Sequence, residues 1–425
     1  MDGNLRNWST LDDTVQDAGL DLTMTFYGGP LDSSITTRAG YTWSEKERES
    51  EIRRFGFAFA GRLANDLELL QQPIEGILRP ELITADGFTI REITRPTDNY
   101  EANNELEAFY GEVEFNFDDR LRFTLGARQE DFLQTVQTFD LFRPNTNSQS
   151  SQDSNDLLPA LSMTYINGDH QFRLGYSETV SRPDFRELSP APFTNPLTGR
   201  DITGNPDLKI AELTNYDLRW EWYFGFSDYA SVGVFYKEFT NPIESSIFDS
   251  TSRQGTYINA IGAENAGIEG EIYKRLDFLG TDFLNGIGKD FYVQANASYI
   301  ESEVSIAPED QGVLTSSSRP LQGQSDYLLN LQVGYEPMQG TTATLLYHYY
   351  GERIAEVGIE GAPDLIEQPF GELNFVFIRD LTDDLAMTFK AKNIGDQRNE
   401  ITQNGFVNIG YNRGREFSFQ LDYTF

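Results

Sequence analysis

Apolar and polar residues alternate with period two along most of the chain, the pattern of strands with two unlike faces. In the last segment Phe417, Phe419, Leu421, Tyr423 and Phe425 share one face, and Ser418, Gln420, Asp422 and Thr424 share the other. Likewise Tyr327, Leu329, Leu331, Val333 and Tyr335 oppose Asn330, Gln332 and Gly334, while Ala343, Leu345, Tyr347 and Tyr349 oppose Thr344 and His348. The alternation predicts about fifteen strands, at roughly 18–27, 33–45, 104–117, 121–137, 156–166, 170–181, 212–225, 228–240, 263–277, 288–303, 322–336, 341–351, 369–380, 384–394 and 412–425. Many exceed the ~5–6 residues usual for soluble strands. They match the ~9–11 that a tilted strand needs to cross a bilayer. A further candidate, Glu51–Gly61, lies inside the first long connection and would make a sixteenth strand.

The connections alternate in length. Short turns carry Gly28–Pro30, Asp118–Asp119, Asn167–Asp169, Ser227–Asp228, Gln339–Gly340 and Thr382–Asp384. Long polar connections are expected at roughly 46–103, 138–155, 182–211, 241–262, 304–321, 352–368 and 395–411, with the Ser/Asn/Gln-rich Asn145–Asn155 as an exposed loop tip. One connection on the short side, roughly 278–287, is longer than the pattern wants. Short turns at one end and long loops at the other are the asymmetry of an outer-membrane barrel. A two-sheet sandwich gives no reason for it. The predicted fold is therefore all-β, an antiparallel transmembrane β-barrel.

In such a barrel the apolar face meets lipid and the polar face lines the lumen. The lumen would then hold Arg38, Glu112, Glu114, Arg122, Arg128, Arg173, Arg219, Glu221, Glu271 and Lys392, charges that are costly against lipid. Trp43, Trp220, Trp222, Tyr349 and Tyr423 near strand ends would suit the interfacial aromatic girdles.

Composition narrows the picture further. The chain has 425 residues, with 33 Lys+Arg against 67 Asp+Glu and a net charge of −34, which disfavours a nucleic-acid partner. Phe 31, Tyr 21 and Trp 4 exclude wholesale disorder. No run of ~18 uncharged apolar residues offers a helical membrane span. Cysteine is absent, so disulfides, thiolate metal sites and cysteine nucleophiles are excluded. The acidic excess is expected mostly in the long loops, as in Glu45–Glu51 and Pro308–Asp310. Residues 1–17 read as a lead-in without the basic and apolar regions of a signal peptide, hence as a truncated start, and 18–425 as the barrel.

Several motifs carry a resemblance. Ser177–Phe185, Gly204–Lys209 followed by Asn215–Leu218, Asn265–Gly270, Lys392–Asp396 and Gly414–Ser418 resemble, in order and spacing, the strand-to-loop motifs of TonB-dependent receptors. Ala39–Lys46 looks like the receptors of Caulobacter-type proteobacteria. Leu421, Tyr423 and Phe425 are similar to the C-terminal signal that the barrel-assembly machinery reads. The resemblance implies a 22-stranded barrel with a plug in its lumen. This sequence shows no plug and no TonB box, so it resembles the C-terminal part of such a barrel.

What the resemblance implies is uptake of a scarce nutrient, of carbohydrate or iron-siderophore type, across the bacterial outer membrane. Lipid and lipopolysaccharide would be partners, and the TonB complex only where a plug or TonB box lies upstream. The alternative is a passive pore or a non-functional barrel fragment. Loop aromatics Phe185, Phe193, Tyr257 and Phe370 are candidate ligand contacts, against the plainer reading that they pack the loops. No cofactor, metal ligand or catalytic residue is expected. The two histidines, His170 and His348, fall near opposite ends of their strands, too far apart to share chemistry.

Overall fold

The computed structural model describes residues 5–28, 33–141, 148–195, 198–249, 251, 254–279, 288–337 and 340–424. Fifteen long strands form one antiparallel meander, each paired with its neighbours in chain order. They are β1 Leu5–Tyr27, β2 Ser34–Phe59, β3 Asn99–Phe117, β4 Leu121–Phe139, β5 Gln149–Asn167, β6 His170–Ser181, β7 Ala211–Tyr223 and β8 Tyr229–Thr240. They continue as β9 Gly262–Arg275, β10 Phe291–Ser305, β11 Tyr327–Tyr335, β12 Thr341–Tyr350, β13 Phe370–Thr382, β14 Leu385–Lys392 and β15 Glu416–Tyr423. Among the described residues β1 pairs only with β2 and β15 only with β14, so the sheet is open at both edges rather than a closed barrel.

Register carries the face assignment across the whole sheet. Phe26, Ile35, Phe115, Phe123, Met163, Leu174, Leu218, Val234, Ile268, Tyr299 and Tyr327 are successive cross-strand partners from β1 to β11, and the pair Leu329 and Tyr349 carries the same face on to β12. Because directly opposed residues share a face, one apolar surface spans the sheet. A one-residue slip would turn every one of these side chains to the other side. At the short-turn end of that surface Trp220 and Trp222 flank His170, with ring centroids 5.9 and 6.0 Å away.

The opposite face is ionic. Arg38 pairs with Glu112 and, at 3.2 Å, with Glu114, which Arg122 approaches at 3.6 Å. Farther along, Arg173 and Arg219 share Glu221 at 3.5 and 2.9 Å, and Arg219 reaches Glu271 at 3.3 Å. These are the residues expected in the lumen, tied across strands.

Three expectations are corrected. Residues 5–17 are not a lead-in but the first half of β1. Glu51–Phe59 is not a separate strand; it continues β2, and Glu45–Glu51 belongs to the same strand rather than to a loop. Of the predicted loop 138–155, Thr138 and Phe139 belong to β4 and Gln149–Asn155 of the presumed tip open β5. The cause is common to all three. β2 has 26 residues and β3, β4 and β5 have 19 each, against the ~9–11 that cross a bilayer. Beyond the apolar band a strand needs no apolar face, so hydropathy alternation stops while the hydrogen-bonded ladder goes on. Gly29, Pro30, Asn145–Asn147, Gln339, Phe425 and the stretch 280–287 lie outside the described residues.

The turns confirm the length asymmetry. Asp118 and Asp119 adopt φ of 53° and 50° in a three-residue turn, and Gly168 adopts 60° in a two-residue one, the left-handed positions that tight hairpins use. No described helix is long and apolar enough to cross a membrane.

Candidate functional site

Most buried side chains sit at the long-loop end, where the connections fold on one another. The β6–β7 connection is stapled by Arg182, which pairs with Glu130 and Asp156 at 2.8 Å each and covers the Phe132 ring at 4.3 Å. Asp184 then caps the short helix Phe185–Leu188 in a capping box with Glu187. Gln134 donates to the Pro183 carbonyl (3.0 Å) and Ser150 to that of Pro206 (2.8 Å). Asn205 closes the loop by donating its amide to the Tyr257 carbonyl at 2.9 Å. The motifs Ser177–Phe185 and Gly204–Lys209 are thus the two ends of one staple. A side chain at Gly204 would strike the carbonyls of Ser189, Arg186 and Glu187.

Phe185, Leu188, Ala191 and Leu208 pack with Tyr100, Ala102 and Val136 of β3 and β4 into one apolar cluster. A second cluster joins Ile247, Ile306, Leu314, Val357 and Ile359 from the β8–β9, β10–β11 and β12–β13 connections with Val304 at the end of β10. Beside them the strands Ile243–Asp249 and Gln254–Asn259 form a small sheet with Phe193–Thr194 and Asp201–Ile202. Arg353–Glu356, Leu365–Glu367, Arg398–Gln403 and Phe406–Asn412 form another. Arg200 pairs with Glu356 between the two small sheets.

Between these sheets lies a cavity of about 450 Å³, within the ~300–1,000 Å³ range of small-molecule sites. Ser245 and Tyr257 are register partners on one wall, and Asn399 and Tyr411 are register partners on another. The charges that line it are committed. Arg353 Nε donates to Glu367 at 2.7 Å, and Tyr350 donates to the same carboxylate at 2.8 Å. Burial alone would raise Glu367, but the Arg353 and Tyr350 hydrogen bonds outweigh it and hold the carboxyl below its usual value. Glu244 meets Arg319 at 2.8 Å, and burial nevertheless pushes its pKa up. Glu187 is likewise raised by burial, and its Oε2 accepts the Asp184 backbone N–H at 2.9 Å.

One lining residue stands apart. Asn399 is 4% exposed, and neither its Oδ1 nor its Nδ2 has a partner among the described residues. Each unsatisfied buried polar atom costs on the order of 1–3 kcal/mol. In a native fold such a residue calls for an explanation.

The four aromatic candidates separate here. Phe185 and Phe370 are each 2% exposed. Phe185 lies under Arg48 (5.3 Å) and Lys46 (5.5 Å), and Phe370 under Arg413 (5.2 Å) beside Tyr350. Phe193 is half-buried beneath Arg186 at 4.6 Å. Tyr257 lines the cavity, where burial raises its hydroxyl. Asn399, Tyr411 and the Glu244–Arg319 pair escaped sequence reasoning. The signal available was Asn404-Gly405, a hairpin dipeptide whose φ values of 51° and 79° fold the supposed loop 395–411 into two strands. No group of three or more His, Asp or Glu among the described residues could hold a metal. His170 accepts from Trp220 Nε1 at 3.3 Å, whereas His348 meets Asn330 at 2.6 Å in another part of the sheet.

Comparisons with known proteins fit this architecture. Among solved structures the chain is similar to the siderophore receptor PiuA from Acinetobacter baumannii, at 13% identity and a TM-score of 0.67 over 98% of this chain and 56% of that one. It is similar to the closed form of the ferric-catecholate import receptor Fiu from E. coli K12, at 12% identity, a TM-score of 0.65, and 98% and 55% coverage. It is also similar to the unliganded ferric citrate transporter FecA, at 15% identity, a TM-score of 0.64, and 99% and 55% coverage. At these identities the likeness concerns the fold, and the chain spans about 55% of the length of those receptors. No curated protein matches the sequence. The sequence model described as "TonB dependent receptor-like, beta-barrel" matches residues 2–369. The chain therefore belongs to the TonB-dependent receptor β-barrel family, whose members are transporters of the bacterial outer membrane and not enzymes.

Proposed function

We propose that this chain is the later part of the barrel of an outer-membrane receptor that captures a scarce nutrient at its long loops. The observation that carries the reading is the walled cavity at the end away from the short turns, where five connections converge. The short turns face the periplasm, and the apolar face meets lipid and lipopolysaccharide. The barrel-assembly machinery reads Leu421, Tyr423 and Phe425. The TonB complex is a partner only where a plug or TonB box lies upstream of this segment.

The nutrient is of carbohydrate or iron-siderophore type. The names of the similar structures support iron carriers, and the likeness of Ala39–Lys46 to Caulobacter-type receptors supports carbohydrate. Tyr257 is the aromatic candidate kept as a ligand contact, with Phe193 in the same small sheet.

The test is uptake by cells with and without the full-length receptor, in backgrounds with and without TonB. Uptake that needs both receptor and TonB supports the reading. Uptake that needs the receptor but not TonB makes it a passive pore. No receptor-dependent uptake of either class overturns it.

A further inference from the structure

We infer that the loop cavity binds an uncharged, hydroxyl-rich ligand, a neutral saccharide, and that Asn399, Tyr257 and Tyr411 select it. The inference rests on the receptor reading and narrows its substrate class.

Charge is the first argument. A ferric catecholate or ferric citrate complex is an anion and needs cations with free hydrogen-bonding capacity. Arg353 is the single cation among the described residues lining the cavity, and its charge is offset by Glu367, which accepts from its Nε at 2.7 Å. Glu187 and Glu244 line the same space and would repel an anion. Those carboxylates each already hold a partner within the fold, Glu187 the helix-cap N–H of Asp184 and Glu244 the Arg319 guanidinium.

The uncommitted groups are neutral. Asn399 offers a donor and an acceptor on one amide, both withdrawn from water and both unpartnered among the described residues. That pairing suits adjacent hydroxyls of a sugar, each of which both gives and accepts. Tyr411 stands beside Asn399 in register, and Tyr257 lines the cavity from another hairpin. Each brings an apolar ring and a hydroxyl to one space, and the C–H face of a pyranose packs on such rings. Gln322, by contrast, is spent on the loops, accepting from Ser245 at 2.6 Å and donating to the Ala355 carbonyl at 2.9 Å.

The experiment measures binding by the full-length receptor purified from outer membranes, using cellobiose, maltotriose and a ferric tris-catecholate as probes. We expect at least one sugar to bind, with affinity reduced tenfold or more by Asn399→Leu and by Tyr411→Ala, and less by Tyr411→Phe. Asn399→Leu also removes the unsatisfied amide at similar volume. It is therefore expected to unfold at a higher temperature than the parent while losing the sugar, which a merely structural asparagine would not do. Asn399→Asp serves as a second variant and should also weaken the sugar. Sugar binding unchanged in the Asn399 and Tyr411 variants would overturn the assignment. Ferric-complex binding without sugar binding would overturn the inference while leaving the receptor reading intact. Binding of none of the probes, together with no receptor-dependent uptake, would remove both.

Discussion

Arg319 and Glu244 meet at 2.8 Å with side chains only 3% and 8% exposed, joining the β10–β11 connection to the hairpin that follows β8. Arg319 is not fully satisfied: its Nε and Nη2 have no partner among the described residues. Such a pair fixes geometry more than it adds stability, because desolvation offsets most of the attraction. Breaking it from one side is another matter. Arg319→Ala strands a buried carboxylate and should destabilise the local loop fold by about 3–5 kcal/mol, read as faster hydrogen exchange across 243–259.

The carboxyls at this end respond to pH in opposite directions. Glu244 and Glu187 are raised in the fold, chiefly by burial, so the native state holds their protons more tightly than the unfolded chain. Their contribution is fully present below the ordinary glutamate pKa and is lost as pH rises through the raised value. Glu367 is lowered, so its contribution is present above the ordinary value and is lost as pH falls through the lowered one. Acidification from neutrality should therefore protect 243–259 and loosen 353–367. Hydrogen exchange corrected for intrinsic rate at each pH would show it, and Glu244→Gln should flatten the first trend only.

Leu331 and Gln332 are neighbours on opposite faces of β11. Leu331 lies in the apolar surface opposite Ala295 and Tyr347, whereas Gln332 bonds the Tyr292 hydroxyl. Leu331→Arg or Leu345→Arg should cost ~2–4 kcal/mol at mid-depth, and Gln332→Arg far less. Equal urea midpoints for the Leu331 and Gln332 variants would contradict the face assignment.

Tyr110 reaches over Gly40 to donate its hydroxyl to Asp21 at 2.6 Å, tying β3 to β1 across β2. A side chain at Gly40 would meet the Tyr110 ring. Gly40→Val should destabilise by about 1–3 kcal/mol through overpacking. Tyr110→Ala in the same chain should recover part of that loss in a thermal melt.

Arg182 holds the β6–β7 connection to β4 and β5 through Glu130 and Asp156. Arg182→Ala should free residues 183–210 to protease while the strands stay protected, with a local loss of about 2–4 kcal/mol. Arg182→Lys should recover little, since one ammonium cannot also cover the Phe132 ring as the planar guanidinium does.

The C-terminal signal is tested by yield. Phe425→Ala or its deletion should lower the amount of heat-modifiable protein in the outer membrane. Unchanged yield would remove Leu421, Tyr423 and Phe425 from that role.

Strand count, the two faces and the turn asymmetry were legible in the order of residues, because each is local. Side chains alternate every two residues within a strand, and hairpin turns need particular residues where φ is positive, as at Asp118 and Gly168. The same locality explains the misreadings: at Leu5–Asp17, Glu45–Glu51 and Gln149–Asn155 the ladder runs on past the apolar band, and only cross-strand hydrogen bonding marks where it ends. The loop cavity could not be read this way. Ser245, Tyr257, Gln322, Arg353 and Asn399 come from four connections, and no spacing links them. Tertiary structure alone decided that Phe185 and Phe370 are packed, that Tyr257 lines a cavity, and that Glu244 spends its charge on Arg319. Burial and charge pairing depend on which loops meet, and that is fixed by the strand order of the sheet, which holds distant hairpins together.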